Sequence, residues 1–219
     1  GELSGSNCNA GSIHVQLQSR NFRLNPHLID NLMENLPFYK EAVNAWDRLR
    51  LMLNVDLELR VNGGLMVADN EEQLEFLYKN CQEEKAAGLD VEIIESNKIK
   101  KLYPFLSNKV VGAEFCAHEG KLNPLVANKS LQEVSLRSGV KIMKCETVNH
   151  IEFKNNEYCI RTNLREYFCE TVIIAAGSGS GKLAECLNFN IPTIAEPLHM
   201  NVTEKVSTFI PILIQHAER

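Results

Sequence analysis

The sequence lacks several features by which functional classes are recognised. It has no recognisable signal peptide and no apolar run long enough to span a bilayer. No C-x-x-C pair occurs among its seven cysteines and no H-x-x-x-H pair among its six histidines, so the common metal-ligand spacings are missing. A net charge of −5 without any Lys/Arg cluster argues against a nucleic-acid-binding surface. We therefore expect no metal, no nucleic acid and no transmembrane segment.

An initiator methionine is also missing. The sequence begins with Gly1 in a loop-like segment, and we expect it to be a piece of a longer chain. Its 219 residues suggest one or two domains with a sizeable core, and the contents of 44% hydrophobic and 23% charged residues are ordinary for a globular protein. An odd number of cysteines without a signal peptide is typical of reduced thiols, so we expect a cytoplasmic protein.

Helical and strand patterns alternate along the chain. Apolar residues three or four apart predict helices at 25–53 (interrupted at Pro37), 71–87, 96–102 and 123–139. Two hairpins are predicted, 57–61 with 65–68 and 148–153 with 158–162. Further strands are predicted at 13–17, 91–94, 110–116, 140–143, 168–175, 198–204 and 209–215. The alternation, without an internal repeat, predicts a mixed α/β fold.

The segment 171–180 has the pattern of a buried strand that ends in a turn. Residues 171–174 are β-branched, as suits a strand buried on both faces of a parallel sheet. Small residues at 175–177 then allow a ligand to approach the backbone where the strand ends. Backbone N–H groups at the start of the helix predicted next would favour an anion such as a pyrophosphate.

Two interpretations of this turn stay open from the residues alone. The run 177–182 has glycines separated by three residues and Leu183 after the lysine, so it departs from the G-x-x-x-x-G-K-[ST] phosphate loop. Lys182 also stands where G-x-G-x-x-G requires its third glycine. A plain strand–turn–helix junction is therefore favoured over a phosphate cradle, and an unrelated nucleotide-binding α/β protein remains a weaker alternative.

The first twelve residues have the composition of a loop. They are mainly glycine, serine and asparagine, and an alternating pattern begins at Ile13. A mobile terminus and a loop that wraps around a ligand both fit this composition.

These segments together resemble a known family. The chain is similar to FAD-dependent oxidoreductases of the D-amino-acid-oxidase superfamily, in the branch of glycine oxidase, sarcosine oxidase and the D-amino-acid, proline and opine dehydrogenases. The resemblance rests on an ordered set of motifs that covers nearly the whole chain: 4–13, 63–67, 88–92, 119–124, 139–142, 146–148 and 171–178. The family's opening strand, G-x-G-x-x-G turn and acidic ribose-binding residue are not present, so the sequence resembles the middle of a flavoenzyme.

The resemblance implies FAD as the cofactor and a division into two incomplete domains. A partial Rossmann-like FAD-binding domain would take residues 1–24 and 118–188, and a mixed-sheet substrate domain 25–117 and 189–219. The residues implied to contact FAD lie under the flavin, at the adenine and over the diphosphate. They are Ala10, Gly11, Ser12 and Ile13, then Val148, and then Ala175, Ala176, Gly177 and Ser178.

The implied activity is oxidation of a small amine or amino acid by hydride transfer from its Cα to flavin N5. No catalytic residue can be named. His14, His199 and Met200 are candidates for the substrate pocket, and Arg20 and Arg60 for a carboxylate anchor. The alternative is a non-catalytic split or degenerate subunit that binds partner chains. A partner subunit or missing chain segments are therefore also expected.

Overall fold

The computed structural model describes residues 5–16, 26–195 and 199–218. Its helices and strands form a mixed α/β structure, as the sequence predicts. The described residues divide into two compact units. The larger unit takes 9–16, 26–134 and 203–218, and the smaller unit takes 5–8, 135–195 and 199–202. The domain boundaries inferred from the resemblance differ from this division and remain a prediction.

A four-stranded mixed sheet forms the centre of the larger unit. Its strands are β2 (Gly64–Ala68), β3 (Val91–Glu95), β4 (Gly112–Cys116) and β9 (Leu213–His216), in the order β3-β4-β2-β9. β4 is antiparallel to both of its neighbours, and β9 runs parallel to β2. Every residue of β2 is buried, because apolar clusters cover both faces of the sheet.

Five α-helices begin in this part of the described chain, and the last of them extends into residues 135–137 of the smaller unit. They are α1 (Ile29–Glu34), α2 (Leu36–Leu53), α3 (Glu71–Ala86), α4 (Ser96–Leu102) and α5 (Pro124–Arg137). The side chain of Asn70 caps α3 by accepting from the Gln73 N–H at 2.9 Å. Asn123 accepts from the N–H of Leu125 at 3.1 Å at the start of α5. Both caps confirm the predicted helix starts, and α3 then packs against β2, β3 and β4.

A second, two-stranded sheet pairs the N-terminal loop with the segment before α5. Its strands are β1 (Ser12–Ile13) and β5 (Gly120–Lys121), which are antiparallel. A backbone bridge between Arg60 and Lys121 continues this sheet on the other side of β5. β5 therefore lies between the N-terminal loop and the part of the chain that leads into β2.

The smaller unit contains a three-stranded antiparallel meander. Its strands are β6 (Val148–Lys154), β7 (Glu157–Thr162) and β8 (Glu166–Cys169). The pairing of β6 with β7 confirms the second predicted hairpin, whose turn uses left-handed conformations at Asn155 and Asn156. A 3-10 turn (Gly177–Gly179) leads into the short helix α6 (Ser180–Glu185).

Several predicted strands are wrong. Residues 57–61 form only the Arg60 bridge and do not pair with β2, whose partners are β4 and β9. Residues 140–143 and 171–175 form no strand, and Ile173 is 86% exposed. Residues 199–204 form none either, and the last strand begins only at Leu213. A strand needs a partner for its backbone groups, and the described residues supply none to these segments.

Candidate functional site

The N-terminal loop has a fixed backbone where it enters β1. Asn9 Oδ1 accepts a hydrogen bond from the Gly11 N–H at 2.8 Å, and the Gly11 carbonyl accepts from the Leu122 N–H at 2.9 Å. Gly11 has a φ of +69°, and a Cβ at this position would lie 2.0 Å from the Leu122 carbonyl oxygen. Only glycine fits here, since any side chain would push the loop away from the segment before α5.

The residues predicted under the flavin differ in their exposure. Ala10 is exposed and Ser12 is half-buried, whereas Gly11 is buried and Ile13 belongs to the apolar core. The Ser12 hydroxyl has no hydrogen-bond partner in the part of the chain that the structure describes. Ala10 and Ser12 therefore present small groups to the surroundings, while Gly11 and Ile13 hold the backbone in place.

His14 follows β1 and contacts a fully buried carboxylate. Its Nδ1 lies 2.9 Å from Glu119 Oε2, and its side chain is 30% exposed. The other carboxylate oxygen of Glu119 accepts from the backbone N–H groups of Val15 at 2.5 Å and Gln16 at 2.8 Å. Glu119 thus satisfies two backbone donors and orients the imidazole of His14 at the same time.

The contacts assign the proton on Nδ1 of His14. Gln215 Nε2 lies 3.1 Å from this nitrogen and 3.4 Å from Glu119 Oε2. An amide nitrogen only donates, and a carboxylate only accepts, so Nδ1–H donates to the carboxylate and the Gln215 amide donates to the same Oε2. In the neutral imidazole the second nitrogen, Nε2, is then a proton acceptor on a partly exposed ring.

A second buried polar cluster lies between α3 and the sheet. Asn80 Nδ2 donates to Glu84 Oε1 at 3.2 Å and to Glu114 Oε2 at 2.9 Å, and all three side chains are at most 1% exposed. Glu114 points to the α3 face of β4, in the same cross-strand row as Met66 and Gln215. Burial, followed by the nearby Glu84 carboxylate, raises the pKa of Glu114 to about 8.

Gln16 connects the two clusters. Its backbone N–H donates to Glu119, and its side-chain Nε2 lies 3.5 Å from Glu84 Oε2. Gln16 is itself 3% exposed. The end of the N-terminal loop is therefore attached to one buried carboxylate by its main chain and to another by its side chain.

A cavity of about 380 Å³ lies beside the two-stranded sheet. Arg60 and Lys121 line it, and they face each other across the backbone bridge, so their side chains project from the same side of the sheet. Glu58 and Asn62 add polar groups, and the Asn62 amide donates to the Pro211 carbonyl at 3.1 Å. The cavity is thus a cleft of mixed lining, with Arg60 and Lys121 on one wall and apolar residues such as Ile210 and Ile212 elsewhere.

The remaining predicted site residues belong to the smaller unit. Val148 begins β6 and is 36% exposed, and the other members of this set lie outside strands. All of those members are exposed: Ala175, Ala176, Gly177, Ser178, His199 and Met200. A Cβ added to Gly177 would meet no atom within 4 Å, so the turn is open. The roles predicted for these residues and for the loop at Ala10 remain predictions, and Arg20 lies outside the described residues.

Sequence reasoning missed Glu119, which contacts His14, and the other buried polar residues of the two clusters. Glu119 belongs to the family-like motif 119–124 but was not predicted as a site residue, and Gln16 and Glu84 have no sequence signal beyond their polarity. The available signal for Glu114 is its place inside an otherwise apolar strand, between Ala113 and Phe115.

Metal-binding clusters and membrane-spanning helices are both absent from the described residues. No group of three or more His, Cys, Asp or Glu side chains in 5–16, 26–195 and 199–218 could hold a metal ion. No helix within these ranges is long and apolar enough to cross a membrane.

Comparisons with known proteins give related sequences and folds. An opine oxidase subunit of Rhizobium meliloti is 23% identical over 163 residues, which are 73% of this chain and 44% of that protein. Glycine oxidase from Geobacillus kaustophilus has a similar fold, with a TM-score of 0.67 at 18% identity over 85% of this chain and 49% of that chain. L-α-glycerophosphate oxidase from Mycoplasma pneumoniae, whose structure contains FAD, gives a TM-score of 0.64 at 20% identity over 84% and 47% of the two chains.

The chain spans less than half the length of each of these proteins. The two structural similarities show that this chain shares the fold of these two oxidases over about half of their lengths. The sequence model of the DAO family, described as FAD dependent oxidoreductase, matches residues 3–212. The match confirms the resemblance seen in the motifs: the chain belongs to the FAD-dependent oxidoreductases of the DAO family.

Proposed function

We propose that this chain is part of an FAD-dependent oxidoreductase that oxidises a small amine or amino acid. The observation that carries the proposal is the His14–Glu119 pair, which lies directly after the loop that the family resemblance places under the flavin. FAD, when bound, supplies the hydride acceptor, flavin N5, and the imine product is then hydrolysed. The protein must hold the cofactor, orient the substrate and set its protonation state.

The loop fits a flavin by its chemistry. From Gly5 to Ser12 it consists only of small residues, and a Cβ at Gly5 would meet no atom within 4 Å. A planar ring can therefore approach the backbone, and the hydroxyl of Ser12 is available as a hydrogen-bonding group. We propose that Ala10, Gly11, Ser12 and Ile13 contact the flavin in this way. Val148 and residues 175–178 would serve the adenine and the diphosphate.

We propose that His14 accepts the proton of the substrate ammonium group at Nε2. Hydride departure requires a neutral amine, because the nitrogen lone pair must stabilise the positive charge that develops at Cα. Glu119 is the positioning residue, since its carboxylate fixes the tautomer with Nδ1–H and stabilises the imidazolium that forms. A base held by a buried carboxylate is a recurring arrangement for proton transfer at neutral pH.

We further propose that the cleft beside the two-stranded sheet binds an acidic end of the substrate. Arg60 and Lys121 provide two cations on one wall. Nη1 of Arg60 donates to the Leu59 carbonyl at 2.8 Å and lies 3.7 Å from Asp56, so both of these contacts use the same nitrogen of the guanidinium. The guanidinium of Arg60 matches the planar geometry of a carboxylate. The substrate would then be an amino acid rather than a simple amine.

The test is an anaerobic titration of the purified protein, in its native length and loaded with FAD. Glycine, sarcosine and proline are added separately, and bleaching of the visible flavin bands is recorded. α-Glycerophosphate is the comparison, because it carries an alcohol in place of the amine. Bleaching by an amino acid supports the proposal, whereas bleaching by α-glycerophosphate alone would assign an alcohol substrate instead. If no compound bleaches a protein that holds FAD, the non-catalytic alternative becomes the better interpretation.

A further inference from the structure

Ser12, Lys121 and Arg60 form one row across the two-stranded sheet and its continuation. Ser12 lies opposite Lys121 in the pairing of β1 with β5, and Arg60 lies opposite Lys121 on the other side of β5. Side chains of residues that face each other across antiparallel strands project from the same side of a sheet. Lys121 is therefore the middle residue of the row, with Ser12 and Arg60 as its two neighbours.

The backbone hydrogen bonds bring Lys121 closer to Ser12 than to Arg60. The Lys121 N–H donates to the Arg60 carbonyl at 2.9 Å, and the Lys121 carbonyl accepts from the Arg60 N–H at 2.8 Å, so these two residues form a hydrogen-bonded pair. The pair of Lys121 with Ser12 is then of the non-hydrogen-bonded kind, in which the Cα atoms lie about 4.5 Å apart instead of about 5.5 Å. Lys121 thus lies directly beside Ser12, which belongs to the proposed flavin site.

This row occupies the open face of the sheet. Ile13 on β1 points to the other face and belongs to the apolar core, with 9% of its surface exposed. A Cβ at Gly120 would lie 2.5 Å from the Arg60 carbonyl oxygen, so the other face has no room for a ligand there. Ser12 is half-buried, and Lys121 and Arg60 are exposed. A ring that rests on Ser12 is therefore on the same side of the sheet as the Lys121 ammonium group.

The Lys121 ammonium group is unpaired within the part of the chain that the structure describes, where it makes no hydrogen bond and no ion pair. Arg60 differs, because its Nη1 donates to the Leu59 carbonyl at 2.8 Å and lies 3.7 Å from Asp56. Glu58 lines the same cleft, but no ion pair joins its carboxylate to Lys121. The positive charge of Lys121 is therefore available to an anionic group on this face.

We propose that Lys121 stabilises the negative charge that the flavin acquires when it is reduced. The inference rests on the proposed function, which places the ring against Ser12. A hydride brings two electrons and one proton to flavin N5, and the amine that loses it becomes an iminium ion. The reduced ring then carries one negative charge, delocalised over N1 and the C2 carbonyl. A cation beside the ring lowers the free energy of this form and leaves that of the neutral oxidised form almost unchanged.

Sulfite is the probe for this charge, because it adds to flavin N5 through the lone pair of its sulfur. The new bond leaves a negative charge on the ring, so the adduct resembles the reduced flavin although no oxidant or reductant takes part. Loss of the visible flavin absorbance gives the dissociation constant of sulfite in the FAD-loaded protein of native length. This measurement requires no amine substrate and no turnover.

Lys121→Met removes the charge and keeps a side chain of similar length. Its dissociation constant for sulfite should be about tenfold higher than that of the wild type, as expected for a partly exposed cation several ångströms from the ring. Lys121→Arg keeps the charge and should stay within about threefold of the wild type. Arg60→Met should raise the constant by less than about threefold, because Arg60 lies one strand farther from Ser12. Lys98→Met, at an exposed position of α4, is the matched control and should not change the constant.

The two-electron reduction potential of the bound flavin is the second measurement, and it also covers a protein that binds no sulfite. A tenfold loss in the stabilisation of the reduced form corresponds to about 30 mV, so the potential of Lys121→Met should be about 30 mV lower than that of the wild type. Lys98→Met should keep the wild-type potential. The effect of Lys121→Met on both quantities should shrink at high ionic strength, because salt screens an exposed cation.

The outcomes separate this inference from the proposed function. If the wild type retains FAD and Lys121→Met changes neither the sulfite constant nor the potential, the role of Lys121 at the flavin is refuted while the proposed function is unaffected. A Lys121→Met protein in which only KM for an amino acid changes leads to the same conclusion, since Lys121 would then bind the substrate alone. An equal rise of the sulfite constant in Lys121→Met and Arg60→Met would also overturn the assignment to Lys121. If the wild type retains no FAD, the flavin site and this inference both fail.

Discussion

Removing the carboxylate of Glu119 should destabilise the larger unit strongly. In Glu119→Ala, the buried N–H groups of Val15 and Gln16 lose their acceptor, and each unsatisfied buried donor costs about 1–3 kcal/mol. The side chain also leaves space next to Gly64, where a Cβ would lie 2.7 Å from Glu119 Cβ. We expect a loss of about 3–5 kcal/mol in the free energy of unfolding.

Glu119→Gln separates the two tasks of this residue. The amide oxygen still accepts from the two backbone N–H groups, but the amide nitrogen replaces Oε2 and faces His14 Nδ1 and Gln215 Nε2. His14 must then become the tautomer that is protonated at Nε2, and one charge-assisted hydrogen bond is lost. The expected cost is about 1–2 kcal/mol, with a proton now on the nitrogen that we propose as the acceptor.

Urea unfolding and nitrogen-15 NMR of the His14 ring test these expectations. Glu75→Gln on α3 is the control, since this side chain is exposed. The alanine variant should lose clearly more stability than the glutamine variant, and only the glutamine variant should show a folded protein with the reversed tautomer. Equal stability of Glu119→Gln, Glu119→Ala and the control would refute the assignment of Glu119 as the group that holds the loop and the imidazole.

Three further predictions address the loop, the cleft and Glu114. Gly11→Ala, which brings a Cβ against the Leu122 carbonyl, should lower stability by more than about 1 kcal/mol in urea unfolding and abolish retention of FAD on gel filtration. Arg60→Ala should raise KM for an amino acid by about tenfold or more at nearly constant kcat, and should not change KM for an amine without a carboxylate. Lys121→Ala should act in the same direction. An equal effect on both substrates would exclude a role of Arg60 in carboxylate binding. Because burial raises the pKa of Glu114 from 4.5 to about 8, the folded state binds more protons than the unfolded state, and the free energy of unfolding should fall as the pH rises through this range. Urea titrations should show this slope in the wild type and not in Glu114→Gln, and a flat profile in both would contradict the assignment.

Local patterns were sufficient to predict much of the secondary structure. Asn70 caps the start of α3, and Gly88 follows its last residue by two positions, so each end of the helix is marked by a residue next to it. The same holds for α5 and for the hairpin of β6 and β7, whose turn residues adjoin both strands. These elements were predicted correctly because their determinants are local.

The strands that depend on distant partners could not be predicted in the same way. The glycine turn after residue 61 suggested a hairpin, but β2 pairs with β4 and β9, which are far along the chain. The β-branched residues 171–174 have a strand composition, yet the described residues contain no neighbouring strand for them. Composition indicates that a segment can form a strand, whereas pairing depends on the tertiary structure.

The candidate site shows the same division. The small residues of the N-terminal loop and His14 were predicted through the family resemblance, because their motif is contiguous, and their roles stay predictions. The contact between His14 and Glu119 joins residues 105 positions apart, and Gln16 reaches Glu84 over 68 positions. Such contacts are created by packing α3 and the loop on one face of the sheet, and no spacing in the sequence indicates them.

The most direct test of the central claim is the absorption spectrum of the protein, purified in its native length, incubated with FAD and separated from free cofactor by gel filtration. The wild type should retain the visible flavin bands, which an amino acid then bleaches without oxygen, and Gly11→Ala should lose them. A wild-type protein that retains no flavin, or a Gly11→Ala variant that retains it equally well, would contradict the assignment of the N-terminal loop as the flavin site.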